Sequence, residues 1–212
     1  LAALVGVSTP THFINSGGRD NMGKPATVGS YEPCGVYVGL VGARFEREEL
    51  MEWRHMLITE QQNTKDNGYG AEAIPDVVAT RALEPWAKFY GAGAESRWFF
   101  PSYKEAREVA KSQKAAGVPC DEQQFVEVEG KRKLGYLNCD VFRKRMRAVL
   151  EPFLLDANER ACRSKKFAYV HMVGLGLGAW MLDKALQGRL LVQTVAQILE
   201  SHTLPNVSDI DF

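Results

Sequence analysis

No stretch of this sequence approaches the ~20 consecutive apolar residues that a helix needs to cross a bilayer. No basic-then-apolar leader opens it either, so a soluble chain is expected. Net charge is missing too: 26 Lys and Arg stand against 26 Asp and Glu, leaving no overall field to gather nucleic acid or an anionic membrane surface. Partners must therefore be recognised locally, and neither nucleic acid nor membrane is expected among them. Cysteine is scarce and scattered, at Cys34, Cys120, Cys139 and Cys162. With no CxxC pair and no histidine at ligand spacing, neither a metal site nor a disulfide framework is signalled; reduced thiols in a cytoplasmic setting are expected. Repeats and low-complexity tracts are also absent. What remains is 212 residues, enough for one full core.

The most informative segment that is present is Tyr169-Val170-His171-Met172-Val173-Gly174-Leu175-Gly176-Leu177-Gly178-Ala179-Trp180. It is an apolar run broken by three alternate glycines, followed by two helical patterns and then Val207-Ser208-Asp209-Ile210-Asp211-Phe212. The order reads as strand, glycine loop, helix and acidic strand end. Glycines at such a junction permit positive φ and close approach of backbone N–H groups to an anion, and a following helix contributes the positive end of its dipole. A phosphate-bearing nucleotide is the natural ligand. The loop lacks the Gly-Lys-Ser/Thr ending of a P-loop. It does fit G-x-G-x-x-A as Gly174, Gly176 and Ala179, with Asp209 or Asp211 placed to meet a ribose hydroxyl. A nucleotide-cofactor enzyme, either an NAD oxidoreductase or a methyltransferase, therefore stays open.

Elsewhere the chain alternates strand and helix signals. Gly35 to Gly42 and Trp53 to Thr59 read as strands of a buried sheet, joined by a charged connection. Pro75 and Asp76 open a helix to about Tyr90, with Val78, Ala82, Trp86 and Phe89 at helical spacing. Ser102 caps a helix from Tyr103 to about Ala116. Phe125 to Glu129 reads as an edge strand with a turn at Gly130, and Asp140 to about Ser164 as a long helix that Pro152 must kink or divide. Arg143, Lys144, Arg145 and Arg147 read as a solvated helix side, since Glu151, Asp156 and Glu159 follow on the same element. Three polar glycine loops, Asn15 to Lys24, Asn63 to Gly70 and 174 to 178, each follow a strand signal and are expected to gather at one cleft. The class is α/β, with the ligand where strand carboxyl ends meet helix starts.

The stretches Gly35 to Glu46, Gln62 to Gly70, Glu151 to Arg160, the glycine loop and Ser208 to Phe212 together resemble the MavL-like macrodomain family, known from a Legionella effector and scattered relatives. The resemblance covers most of the chain. It implies one macrodomain-like domain over 1–212, a mixed sheet flanked by helices, similar to poly(ADP-ribose) glycohydrolase macrodomains. Family members are expected to continue past the Asp-Ile-Asp-Phe strand, so the resemblance also implies truncation at Phe212. The implied function is ADP-ribose binding and hydrolysis of ADP-ribose from a modified protein, an arginine of ubiquitin in the effector's case. A non-catalytic ADP-ribose reader is the other alternative. No cofactor is implied beyond ADP-ribose as ligand or product, and a cytoplasmic site of action follows, the host cytosol for a secreted effector.

By that resemblance Gly174, Gly176, Gly178, Ala179 and Trp180 hold the diphosphate; Leu177 and Asn67 are expected among the ligand-binding residues, and Trp180 or Tyr69 is expected to line the site by stacking on a ribose or the adenine. The chemistry requires a carboxylate near the anomeric carbon of the distal ribose, to activate water or protonate the leaving group as oxocarbenium character develops. Asp209 and Asp211 are the first candidates, followed by Glu52, Asp66 and Asp76. Glu52 is the one residue of Met51-Glu52-Trp53 that corresponds to the Gln-Glu-Glu signature of glycohydrolase macrodomains.

Overall fold

The structure, a computed structural model, describes residues 6–18, 23–47, 50, 52–94, 96–129, 134–179 and 181–212. Trp180, Met51, Gly130 and the Arg19 to Met22 part of the first loop lie outside the described residues. The α/β class is observed, with the strands distributed over four small sheets among the described residues.

The chain divides into two compact units, Leu1–Val41 and Gly42–Phe212. The first is an antiparallel hairpin of β1 (Gly6–His12) and β2 (Cys34–Leu40), in register from Gly6 opposite Leu40 to His12 opposite Cys34. Pro10 is tolerated in β1 because each strand of a pair has a free edge. The expectation that Gly35 to Gly42 lies in a buried sheet is corrected here. Two strands cannot cover both of their faces, and Val36 and Tyr37 are exposed.

The second unit begins with α1 (Trp53–Met56) and β3 (Leu57–Ile58), where a single strand over Trp53 to Thr59 is expected. The spacing explains the difference. Trp53 and Met56 are buried three residues apart, which is a helical turn, and the Glu52 carbonyl accepts from the N–H groups of His55 and Met56. After α2 (Val78–Tyr90) come the short pair β4 (Gly93–Ala94) and β5 (Arg97–Trp98). Then α3 (Tyr103–Ala115) starts as expected at Ser102, through a capping box in which Ser102 and Glu105 satisfy each other's backbone N–H groups. In α2 the buried stripe is Thr80, Leu83, Ala87 and Tyr90, leaving Val78 and Phe89 exposed.

The central sheet has the order β3-β7-β6, all antiparallel, with β6 (Phe125–Glu129) at the edge as expected and β7 (Leu134–Asn138) in the middle. One face receives α3, through Ala106 and Ala110 against Ile58, Phe125 and Tyr136. From Asn138, which caps it, α4 (Cys139–Ser164) runs undivided through Pro152. The proline removes one N–H donor, while Phe142, Met146, Val149, Leu150 and Leu154 keep the flanking turns anchored in the core. Against α4 packs α5 (Lys184–Ser201), the single helix found where two helical patterns are expected. Glu151, midway along α4, ties it to the end of α5 by accepting from His202 at 2.5 Å, and it also accepts from Arg147 one turn earlier at 2.7 Å; these bonds hold its carboxyl down at about 2. Finally β8 (Ala168–His171), α5 and β9 (Val207–Asp211) form a parallel βαβ crossover.

Candidate active site

The βαβ unit places the glycine loop and the acidic strand at the carboxyl ends of two parallel strands. The ladder extends one residue beyond β8, where the Met172 N–H donates to the Asp211 carbonyl at 2.7 Å, and the loop departs from there. Of its three glycines only Gly176 has positive φ, at 76°. A side chain there would meet the Ala43 carbonyl at 3.3 Å, and one at Gly42 would meet the Gly176 nitrogen at 2.9 Å. Bare backbone at both positions lets Gly42 and Ala43 lie directly under the loop. Gly178, by contrast, faces open space, and Gly174 has only Leu177 near it.

The loop's polarity follows from its hydrogen bonds. Two turns close it, Leu177 N–H to the Gly174 carbonyl and Met181 N–H to the Gly178 carbonyl. The amides of Leu175, Gly176, Gly178 and Ala179 donate to no acceptor among the described residues, and Gly174, Gly178 and Ala179 are exposed. Successive uncommitted N–H groups of this kind form an anion-binding concavity. The start of α5 does not add to it as the sequence suggests. The Asp183 carboxylate accepts from Leu186 N–H at 2.8 Å, and the buried Gln187 Oε1 accepts from the N–H groups of Leu182 and Asp183. Those donors are spent, and a carboxylate already faces the positive end of the dipole. An anion site at this end of the strands would therefore rest on the loop amides alone.

Beside the loop, Asp209 pairs in register with Tyr169 and Asp211 with His171. All four side chains are exposed on one face of the strand pair. His171 Nδ1 lies 2.9 Å from Asp211 Oδ2, and the Asp211 carboxylate pushes the Tyr169 hydroxyl up. The structure thus places Asp209 and Asp211 on the strand that flanks the start of the 174–179 loop, and adds His171, which sequence reasoning passed over. Its signal was parity: His171 lies two residues from Tyr169 on β8, as Asp211 does from Asp209 on β9.

The remaining candidates stand elsewhere. Glu52 is buried at the start of α1, 3.3 Å from Arg145 on α4, and its Oε2 has no hydrogen-bond partner among the described residues. Asp66 and Asp76 are exposed. Asn67 spends its amide on the carbonyls of Gln61 and Gln62. Tyr69 is buried, its hydroxyl donating to the Arg54 carbonyl at 3.1 Å. A ring so enclosed has no face left for a ligand, which corrects its expected place in the lining. The loop of Asn63 to Gly70 instead plugs the starts of α2 and α3: Gly68 lies against Thr80, and Gly70 against Ser102. The expected gathering of polar loops is thus not seen in this unit, because the second packs on helices and the third on Gly42 and Ala43.

The basic run of α4 is not a solvated helix side either. Arg143 bonds Asp140 and the Asp121 carbonyl, Lys144 the Tyr90 carbonyl, Arg145 Glu52, and Arg147 Glu151 and Ser201. A cleft of about 690 Å³ between α2, α3 and α4 is lined by Arg143, Lys144 and Arg147 together with Tyr90, Phe99 and Asn138. Its cations are engaged in these internal bonds, and none of the sequence candidates lines it.

Comparison with known proteins bears on this geometry. The family model described as ADP-ribosylhydrolase MavL-like matches residues 1–212. Two Drosophila melanogaster proteins are similar. The one named ADP-ribosylarginine hydrolase CG3568 is 36% identical over 181 residues, covering 85% of this chain and 32% of its own length. The one named ADP-ribosylarginine hydrolase CG2909 is 33% identical over 218 residues, covering 100% of this chain and 39% of its own. The chain therefore spans 32% and 39% of the length of these two curated relatives.

Proposed function

The chain belongs to the MavL-like ADP-ribosylhydrolase family, and from that premise we propose that it binds ADP-ribose on the 174–179 loop and contributes to hydrolysing ADP-ribose from arginine side chains. The observation that carries the reading is one juxtaposition: uncommitted loop amides beside an exposed Asp211–His171 pair at the carboxyl ends of β8 and β9. The amides suit a diphosphate, and the carboxylate suits the ribose end. The names of both relatives specify ADP-ribosylarginine, which favours arginine as the modified residue. We assign the fold to the glycohydrolase macrodomains on the resemblance, and ubiquitin is a substrate to test on the same ground.

In the proposed reaction water attacks the anomeric carbon as the bond to the guanidine nitrogen breaks. Asp211 accepts a proton from the water and stabilises the oxocarbenium character, and that proton then passes to the departing guanidine, which is released as guanidinium. With Oδ2 engaged by His171, the second carboxylate oxygen is the one turned to the water. Asp209 on the same face binds a ribose hydroxyl. Glu52, tied to Arg145, fixes the entry of the chain into α1.

Calorimetry against ADP-ribose, NAD and S-adenosylmethionine in parallel tests the binding half, and release of ADP-ribose from an ADP-ribosylated arginine peptide tests the chemistry. Tighter binding of either cofactor than of ADP-ribose overturns the reading in favour of a cofactor enzyme. Binding of ADP-ribose without turnover assigns the chain to the readers.

A further inference from the structure

The hairpin of the first unit carries a thiol and a base that the ADP-ribose site does not use. Cys34 opens β2 directly opposite His12, the last residue of β1. Its Sγ lies 3.1 Å from His12 Nδ1, and both residues are exposed. The ladder continues past them with Phe13 N–H donating to the Pro33 carbonyl at 2.8 Å. The Phe13 ring also sits so close to Gly35 that a side chain there would meet it at 2.6 Å. The pair is thus held from both sides by ordered backbone.

The other three thiols differ. Cys139 is buried, and burial pushes it up to about 12. Cys162 is exposed on α4 with no ring nitrogen or cation bonded to it among the described residues. Cys120 is half-buried and meets Arg189 at 3.0 Å, a cation that can steady a thiolate but cannot take its proton. Only Cys34 combines exposure with a neighbouring base.

We propose that Cys34 is a modification site, S-thiolated by low-molecular-weight disulfides with His12 as its base. In the Nε2–H tautomer His12 Nδ1 accepts the Cys34 proton, and the freed sulfur lone pair attacks one sulfur of the disulfide. The Cys34–sulfur bond forms as the reagent's S–S bond breaks, the electron pair leaving on the distal sulfur, which then takes the proton from His12. Cys34 is oxidised to one half of a mixed disulfide, and the other half of the reagent is reduced to a thiol.

The test incubates the whole chain with oxidised glutathione at neutral pH, quenches with acid and maps the adducts by peptide mass spectrometry, with Cys162 as internal reference. Cys34 is expected to react about tenfold or more faster than Cys162, the ratio set by thiolate supply. It should fall to the Cys162 rate in His12→Phe, which keeps a ring and removes the base. A second arm repeats the wild-type measurement in denaturant, where the ratio should collapse toward one because only the folded hairpin joins the pair. Equal rates in the native chain, faster reaction at Cys120, an unchanged Cys34 rate in folded His12→Phe, or a ratio that survives denaturation each overturns the proposal.

Discussion

His55 makes acid stability the sharpest quantitative test of the packing that holds Glu52 in place. The ring sits among Trp86, Phe100 and Tyr90, at centroid distances of 5.0, 5.3 and 6.0 Å. Burial first, and the Arg54 charge second, push it down to about 4. In the unfolded chain it titrates near 6.5, so between those values the unfolded state binds the proton and the folded state does not. Stability must then rise with pH across that window. Acidification from neutral pH to 4 costs the fold about 3 kcal/mol through this one group, by linkage at about 1.4 kcal/mol per pH unit. Urea denaturation of the wild type and of His55→Phe at both pH values isolates the effect, since every other titrating group is shared. The drop in stability should be smaller by about that amount in the variant, whose ring fits the same aromatic surroundings. Equal drops in the two proteins would refute the argument that the cage keeps His55 neutral. The consequence reaches Glu52, which stands at the N-cap of α1, the helix that carries His55.

Three further outcomes follow from the geometry. Gly176→Val should abolish ADP-ribose binding and also cost about 1–3 kcal/mol in thermal denaturation, because a β-branched residue is forced to positive φ, whereas Gly178→Val, facing open space, should weaken binding in calorimetry with an unchanged melting temperature. Asp211→Asn should keep ADP-ribose affinity within a few-fold and slow release from the arginine-linked substrate by ~10²-fold or more, while Asp209→Asn should mainly raise the Kd; the reverse split would exchange their roles. Arg145→Met should destabilise by about 3–5 kcal/mol by stranding the Glu52 carboxylate in the core, and Arg145→Met with Glu52→Gln should recover much of that loss, as read by chemical denaturation.

Local signals in the sequence were enough for elements whose cause is local. Ser102 with Glu105 declares the start of α3 because a capping box is complete within four residues. The βαβ order was legible from the apolar run, the glycines and the Val207 to Asp211 strand. Where competing periods share the same apolar residues the reading failed, as at Trp53 to Met56, where one helical turn and a strand place similar residues inside. The face of α2 was equally open. Val78 and Phe89 carry the apolar pattern, yet Leu83, Ala87 and Tyr90 are the residues turned inward, because β5 and α4 decide which stripe is covered.

Polar pairings show the same division between local and long-range causes, and they explain why the candidate site was legible only in part. Asp211 could be nominated from its strand, but its partner His171 lies 40 positions away and is fixed only once β8 and β9 run parallel in one register with an irregularity after Ala168. Shifting that register by one residue would turn His171 to the opposite face, and no pattern within either strand specifies it. Glu52 and Arg145 are 93 positions apart. Read along α4, Arg145 is one cation in a surface-like run, and only the arrival of α1 turns it into the counter-charge of a buried carboxylate. Gly42 belongs to the same class. Its lack of a side chain has no local turn to explain it, and the reason appears only when the Gly176 nitrogen is found 2.9 Å from where a Cβ would stand. The loop proposed to bind the anion is therefore shaped from beneath by backbone more than a hundred residues earlier, which makes Gly42→Ala, remote in sequence from the loop and from Asp209 and Asp211, a substitution expected to displace the 174–179 loop and weaken ADP-ribose binding.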